Sequence, residues 1–256
     1  APRLYFLIEL FSPSETNMVD TSRLNGLVGA MENGGIAFSA FVPMDINSAQ
    51  AMAASRFDGI IYEGEHSPWD IVALGHCLQY MLDRRQIADS DSIAPRVTPL
   101  ARIPVNGIEM GQWHAKQALD TGTYGIVWPH ISTVEEAYNA VAACRYPRLK
   151  SAPLYEPRGI RGDGPVRACR YWGLNQQEYY SKADVWPLAQ NGEILVVIQI
   201  EDTAGIQNLP DMLKNILDTH TDVTLRVVDA YVENMFDGEQ RGTVLKSISD
   251  TQTALQ

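Results

Sequence analysis

The chain alternates between two kinds of hydrophobic pattern. Short runs that are apolar almost throughout recur at residues 36–42, 57–62, 98–103, 125–128, 194–200 and 223–228. Their length and β-branched content predict buried strands. Between them the apolar positions fall at helical spacing. Leu24, Leu27, Val28 and Met31 predict one helix, stopped by Asn33-Gly34-Gly35. Further helices are expected over 47–55 (with Ser48 near the start), 68–82, 108–120, 204–217 and 242–255. Another opens at Ser132, read as N-cap with Glu135 in the capping-box position. Residues 146–190 interrupt the pattern with Pro147, Pro153, Pro157, Gly159, Gly162, Gly164 and Pro165, and only 176–180 reads weakly as helix. The first 21 residues, with Ser12-Pro13-Ser14, read as an N-terminal extension, leaving 22–256 as one domain.

Strand–helix alternation of this kind builds βαβ units and a parallel sheet. No GxGxxG follows a strand, so the dinucleotide fingerprint is missing. A closed (β/α) barrel needs eight strands, and six are legible. Either the others lie in the extension and the long interruption, or the chain lacks a piece.

Composition narrows the partners. Of 256 residues, 45% are hydrophobic and 20% charged, with a net charge of −11. An acidic chain without a basic cluster is a poor match for nucleic acid or for an anionic membrane. No apolar stretch is long enough to span a bilayer. Cys77, Cys144 and Cys169 are too few and too scattered for a disulfide framework or a CxxC zinc site. Free thiols favour a cytoplasmic location. The opening Ala1-Pro2-Arg3, without Met, leaves room for a processed segment upstream.

In a parallel barrel, chemistry gathers where strands end. The second run ends in Glu63-Gly64-Glu65-His66, the third at Arg102, the fourth at Pro129-His130 and the fifth at Gln199-Ile200-Glu201-Asp202. Asp202 is best read as the N-cap of the next helix. Arg102 and Glu201 sit in or directly after apolar runs, where a buried charge requires a partner. His76 and His114 fall on helices and His220 in a polar turn, so none of them points to a site. No Lys ends a core strand, which disfavours Schiff-base chemistry.

The segment from Phe57 to Pro68 resembles the strand-plus-"DGEHxP" signature of the metal-dependent (class II) pyruvate aldolases of the HpcH/HpaI type. Pro99 to Pro104 followed by Asp120-Thr121-Gly122 resembles that family's Arg-bearing strand and helix. Arg145-Tyr146-Pro147 with Gly159-Ile160-Arg161-Gly162 is similar to its "RYPP…G.RG" loop, and Gln199-Ile200-Glu201 with Asn208-Leu209-Pro210 to its metal strand. The resemblance, from about residue 22 to 217, implies a modified TIM-type barrel of the phosphoenolpyruvate/pyruvate superfamily. It also implies a homo-oligomer, hexamer or trimer, in which the last helix can swap between partners. A divalent metal (Mg, Mn or Co) chelating a small oxo acid such as pyruvate is implied too, with an aldehyde as the second reactant.

By resemblance, Glu201 is a metal ligand and Gln199 binds the metal-bound water or substrate. Arg102 faces the enolate oxygen, His66 is the acid/base, and Asp120 supports that base from a neighbouring subunit. Glu63 stands where the family has Asp. Pro129-His130 and Tyr171-Trp172 are more similar to the macrophomate synthase branch, which makes His130 a competing base and Tyr171 a substrate contact. The family's "GP.DLS"-like run is absent, and Asp229 is the nearest stand-in for its second metal carboxylate, ahead of Asp222. The expected activity is a metal-dependent carbon–carbon lyase working through a pyruvate enolate, with oxaloacetate decarboxylation alongside. The alternatives are a non-catalytic oxo-acid-binding barrel and a citrate-lyase-like enzyme using a coenzyme A thioester. The lack of a basic patch weighs against the thioester.

Overall fold

The computed structural model describes residues 8–11, 23–90, 92–105, 110–217 and 224–227. In chain order, β1 (Ile8–Phe11) and α1 (Gly26–Glu32) come first. An alternating series follows: β2 (Ser39–Val42), α2 (Ile46–Ala53), β3 (Gly59–Glu63), α3 (Ile71–Met81), α4 (Arg84–Asp89), β4 (Thr98–Arg102), α5 (Gln112–Thr121), β5 (Gly125–Trp128) and α6 (Val134–Ala143). Then come α7 (Val166–Trp172), α8 (Gln176–Lys182), β6 (Val185–Trp186), β7 (Ile194–Ile198), α9 (Thr203–Leu217) and β8 (Thr224–Val227).

Six strands form one sheet in the order β2-β3-β4-β5-β7-β6, every neighbouring pair parallel. Five of the six apolar runs are these strands. The sixth corrects its expectation: β8 pairs antiparallel with β1 in a separate two-stranded sheet, with Leu10 in register with Leu225. An apolar run marks a strand but does not choose its partner. β1 lies inside the segment read as a lead-in. β6 and α7 lie inside the Pro- and Gly-rich stretch, where α7 starts directly after Pro165. Ser132 is not the cap of α6. Thr133 is, with Glu136 completing the capping box one residue later than expected.

Successive strand residues face opposite sides of a sheet. Ile60, Tyr62, Ala101, Ile126, Trp128 and Ile194 pack beneath the helices. Ile61, Leu100, Val127 and Leu195 form the opposite face and meet Leu27, Val28 and Met31 of α1. Full burial of each such side chain is worth roughly 1.5–3 kcal/mol. α1 covers the end where the strands begin. Asn25 caps it, and donates through Nδ2 to the carbonyls of Tyr124 (3.1 Å) and Glu193 (3.0 Å). Carried two residues past the apolar layer, the alternation puts Glu63, Arg102 and Gln199 on one face at the other end.

The loop between α6 and α7 is tied down through Asp184. Arg145, 1% exposed, donates from Nε to Asp184 Oδ1 at 2.7 Å and from its other nitrogens to the carbonyls of Pro157 and Leu154, both at 2.8 Å. Arg148 also binds Asp184. All three cysteines are free thiols. Among the described residues, no helix is long and apolar enough to cross a membrane.

Candidate active site

Glu63 and Arg102 are register partners at the ends of β3 and β4. Arg102 is almost fully buried and donates from Nε to Glu63 Oε1 at 3.1 Å, with a second, close contact from a terminal nitrogen to Oε2. Its remaining nitrogen, Nη1, lies 2.7 Å from Glu65 Oε2 and 3.4 Å from the Gln199 side-chain oxygen. The Phe41 ring packs against the guanidinium, 4.4 Å from its centroid to Cζ. Glu63 Oε1 also accepts the backbone N–H groups of Glu65 (2.7 Å) and His66 (3.2 Å). Burial pushes the Glu63 carboxyl up, but these hydrogen bonds outweigh it and hold the group below the usual carboxylate range.

The turn after β3 is possible because residue 64 is glycine. A Cβ there would stand 2.5 Å from the Trp69 ring and 2.6 Å from the Arg102 carbonyl oxygen. This close approach swings Glu65 inward, where its side chain is 2% exposed. Its oxygens face Arg102, His130 (Nε2 at 3.2 Å) and His66 (Nε2 at 3.6 Å), yet neither has a donor in hydrogen-bond alignment. His130 has φ of 54°, a left-handed conformation costly for a non-glycine residue. Its N–H donates to Glu201 Oε2 at 3.0 Å, which ties the β5 exit to the β7 exit.

The structure thus brings His66, Arg102, His130, Gln199 and Glu201 together with Glu63 and Glu65. It places two other expected site residues elsewhere. Tyr171 is a core residue of α7: its ring lies against Gly122, at the end where β5 begins, and meets Tyr124 edge-on at 6.3 Å. Asp120, in the last turn of α5, lies toward that same end and binds Arg161 Nη2 at 2.9 Å. Burial pushes its carboxyl up against the pull of Arg161. Asp202 caps α9, accepting from Gly205 N–H (2.6 Å) and from the Ser132 hydroxyl, as expected. Asp229 and Asp222 lie outside the described residues. The sequence places Glu65 only among the polar residues that close the second run, with no role assigned, and does not single out Phe41.

Among the described residues, no group of three or more His, Cys, Asp or Glu side chains is arranged to hold a metal ion. The donor chemistry nevertheless suits a hard cation. Glu201 and the Gln199 amide offer oxygens at one strand end, and the buried Glu65 carboxylate has unspent acceptor capacity.

A family model for the HpcH/HpaI aldolase/citrate lyases matches residues 38–219. The chain belongs to this HpcH/HpaI family. A curated relative, 2-keto-3-deoxy-L-rhamnonate aldolase of Klebsiella pneumoniae, is 32% identical over 166 residues, 65% of this chain and 51% of the relative. The chain spans about half the length of the curated relatives it matches. A family protein from Burkholderia cenocepacia superposes with a TM-score of 0.59 at 19% identity, covering 86% of this chain and 76% of the other. Macrophomate synthase superposes at 0.53 and 15%, covering 92% and 75%. These likenesses establish the fold, an HpcH/HpaI α/β structure of the TIM-barrel type. The six described parallel strands form an open part of it.

Proposed function

We propose that the protein is a metal-dependent carbon–carbon lyase that cleaves 4-hydroxy-2-oxo acids to pyruvate and an aldehyde, and decarboxylates oxaloacetate. The observation that carries this reading is the buried Arg102, whose Nη1 edge is shared between Gln199 and Glu65 at the strand ends. Abstraction or cleavage next to a ketone leaves an enolate, and a fixed guanidinium in a water-poor site stabilises that charge. A divalent cation held by Glu201 and by a carboxylate from outside the described residues (Asp229 in the sequence reading), with Gln199 at its bound water or substrate, would supply Lewis-acid stabilisation of the same charge.

The chain's own groups perform the remaining steps. An imidazole, His66 or His130, takes the proton from the C4 hydroxyl. The C3–C4 bond breaks, C4 leaves as the aldehyde, and the electron pair moves into the enolate held against Arg102. Protonation at C3 gives pyruvate. Asp120 would serve only through a neighbouring copy in an oligomer, since within one chain it lies toward the other end of the sheet.

The test is pyruvate release from oxaloacetate and from a 4-hydroxy-2-oxo acid, with Mg, Mn or Co and with chelator. Metal-dependent pyruvate from both supports the reading. No pyruvate from either at saturating metal overturns it in favour of an oxo-acid-binding barrel.

A further inference from the structure

Glu65 is a nearly fully enclosed carboxylate with no aligned donor, and the groups around it are one guanidinium and two imidazoles. An enclosed carboxylate is costly unless paired; the Arg102 guanidinium at 2.7 Å compensates its charge but leaves both oxygens without an aligned donor. The two imidazoles are not equivalent. His130 presents Nε2 to Glu65 Oε1 at 3.2 Å, from a strained backbone that Glu201 holds through the His130 N–H. His66 stands 3.6 Å from the other oxygen, with its side chain 60% exposed. Strained backbone kept in place by its surroundings is typical of residues positioned for chemistry.

We propose that Glu65 is a positioning residue that orients His130 as the group taking the proton from the aldol hydroxyl. This rests on the lyase reading above. A carboxylate that accepts from Nε2–H fixes the tautomer and leaves Nδ1 as the basic nitrogen, the logic of an oriented catalytic histidine. The off-line contact is the loose geometry common before substrate binds. Contact with Arg102 Nη1 at 2.7 Å sets the same carboxylate against the oxyanion donor, so one side chain fixes the spacing between the proton acceptor and the enolate cradle.

The experiment is a double-mutant cycle on the full chain with metal, measuring retro-aldol cleavage and oxaloacetate decarboxylation separately. Glu65→Gln is expected to lower retro-aldol kcat about 10²-fold, the scale of a general-base contribution. KM should stay within about threefold, and decarboxylation should fall at least tenfold less. Glu65→Asp should recover part of the loss, which guards against simple misfolding. Because Glu65 acts on the hydroxyl proton through His130, the pair Glu65→Gln with His130→Ala should lose far less retro-aldol activity than the product of the two single losses. Multiplicative losses in that pair, or non-additivity with His66→Ala instead, would overturn the assignment. So would equal loss of both reactions in Glu65→Gln, which would make Glu65 a support for Arg102. A wild-type protein inactive in both assays would instead refute the lyase reading itself.

Discussion

Replacing Arg102 with Lys separates the two tasks this side chain performs. The guanidinium reaches Glu63 through two nitrogens and Glu65 through a third. An ammonium carries its three donors on a single nitrogen and cannot reproduce the planar fork that spans both carboxylates. Each charge-assisted hydrogen bond contributes about 1.5–3 kcal/mol net. The hydrogen bonds at stake are the two to Glu63; losing one or both gives about 1.5–6 kcal/mol, reduced where the exposed part of Glu63 rehydrates. We therefore expect Arg102→Lys to lower unfolding free energy by about 2–4 kcal/mol in a urea titration, in line with breaking a buried pair from one side. The enolate loses its planar donor as well. That should lower oxaloacetate decarboxylation by about 2.7–4 kcal/mol of barrier, or 10²–10³ in kcat. Rates measured under conditions where circular dichroism shows the variant folded keep the two effects apart. A kcat less than about threefold below wild type would make Arg102 purely structural and place the pocket elsewhere. Unchanged stability would mean that the Glu63 and Glu65 contacts carry no net energy.

Glu201→Gln is expected to abolish metal-dependent decarboxylation and to weaken Mn binding in a calorimetric titration; full activity at saturating metal would remove it from the ligand set. Glu63 and Asp202 both have carboxyls held below their ordinary range, Asp202 because hydrogen bonds from Ser132 and from backbone amides outweigh its burial. Their stabilisation is complete above the unfolded carboxylate pKa of about 4 and is lost as pH falls through the lower folded values. The urea midpoint should therefore drop on the acid side of pH 4, and Asp202→Asn should make that drop shallower; an unaltered acid limb would refute the role of Asp202. Asp184→Asn leaves the buried Arg145 without its anion, at a cost of about 3–5 kcal/mol. Protease nicking between residues 146 and 165 should rise with it, and a loop as resistant as wild type would show that its backbone hydrogen bonds suffice.

The sheet was legible because buried parallel strands are continuous apolar runs, and 57–62, 98–103 and 194–200 are unbroken enough to be read at once. The strand ends followed, since polar residues that close such runs have nowhere to go but the rim. β6 was not legible: two residues, Val185 and Trp186, carry no period. α4 was missed because only the Asp83 cap marks it, with no buried face to give a pattern. Ser132 and Thr133 are both capping residues, and only the Asp202 carboxylate, 70 positions away, draws Ser132 off. Glu65 received no role from the sequence because its burial depends on the Gly64 contact with Trp69 and Arg102, which sequence spacing does not reveal. Tyr171 followed a motif likeness, while the volume left by Gly122 determined where its ring packs.

The tie between Asn25 and the start of β7 sets an order of events during synthesis. The Asn25 N–H donates to Glu193 Oε2 at 3.0 Å, across a separation of 168 residues, and Arg23 reaches the Gly192 carbonyl nearby. α1 emerges early and its packing partners Ile61, Leu100 and Val127 follow in turn, but Gly192, Glu193 and Leu195 come only after five more strands, β2 to β6. At about 5–20 residues per second, that gap lasts on the order of ten seconds or more on the ribosome. Until then the packing around Leu27, Val28 and Met31 lacks Leu195. The floor therefore closes late, and Glu193→Gln is expected to slow refolding; a refolding rate equal to wild type would refute this order.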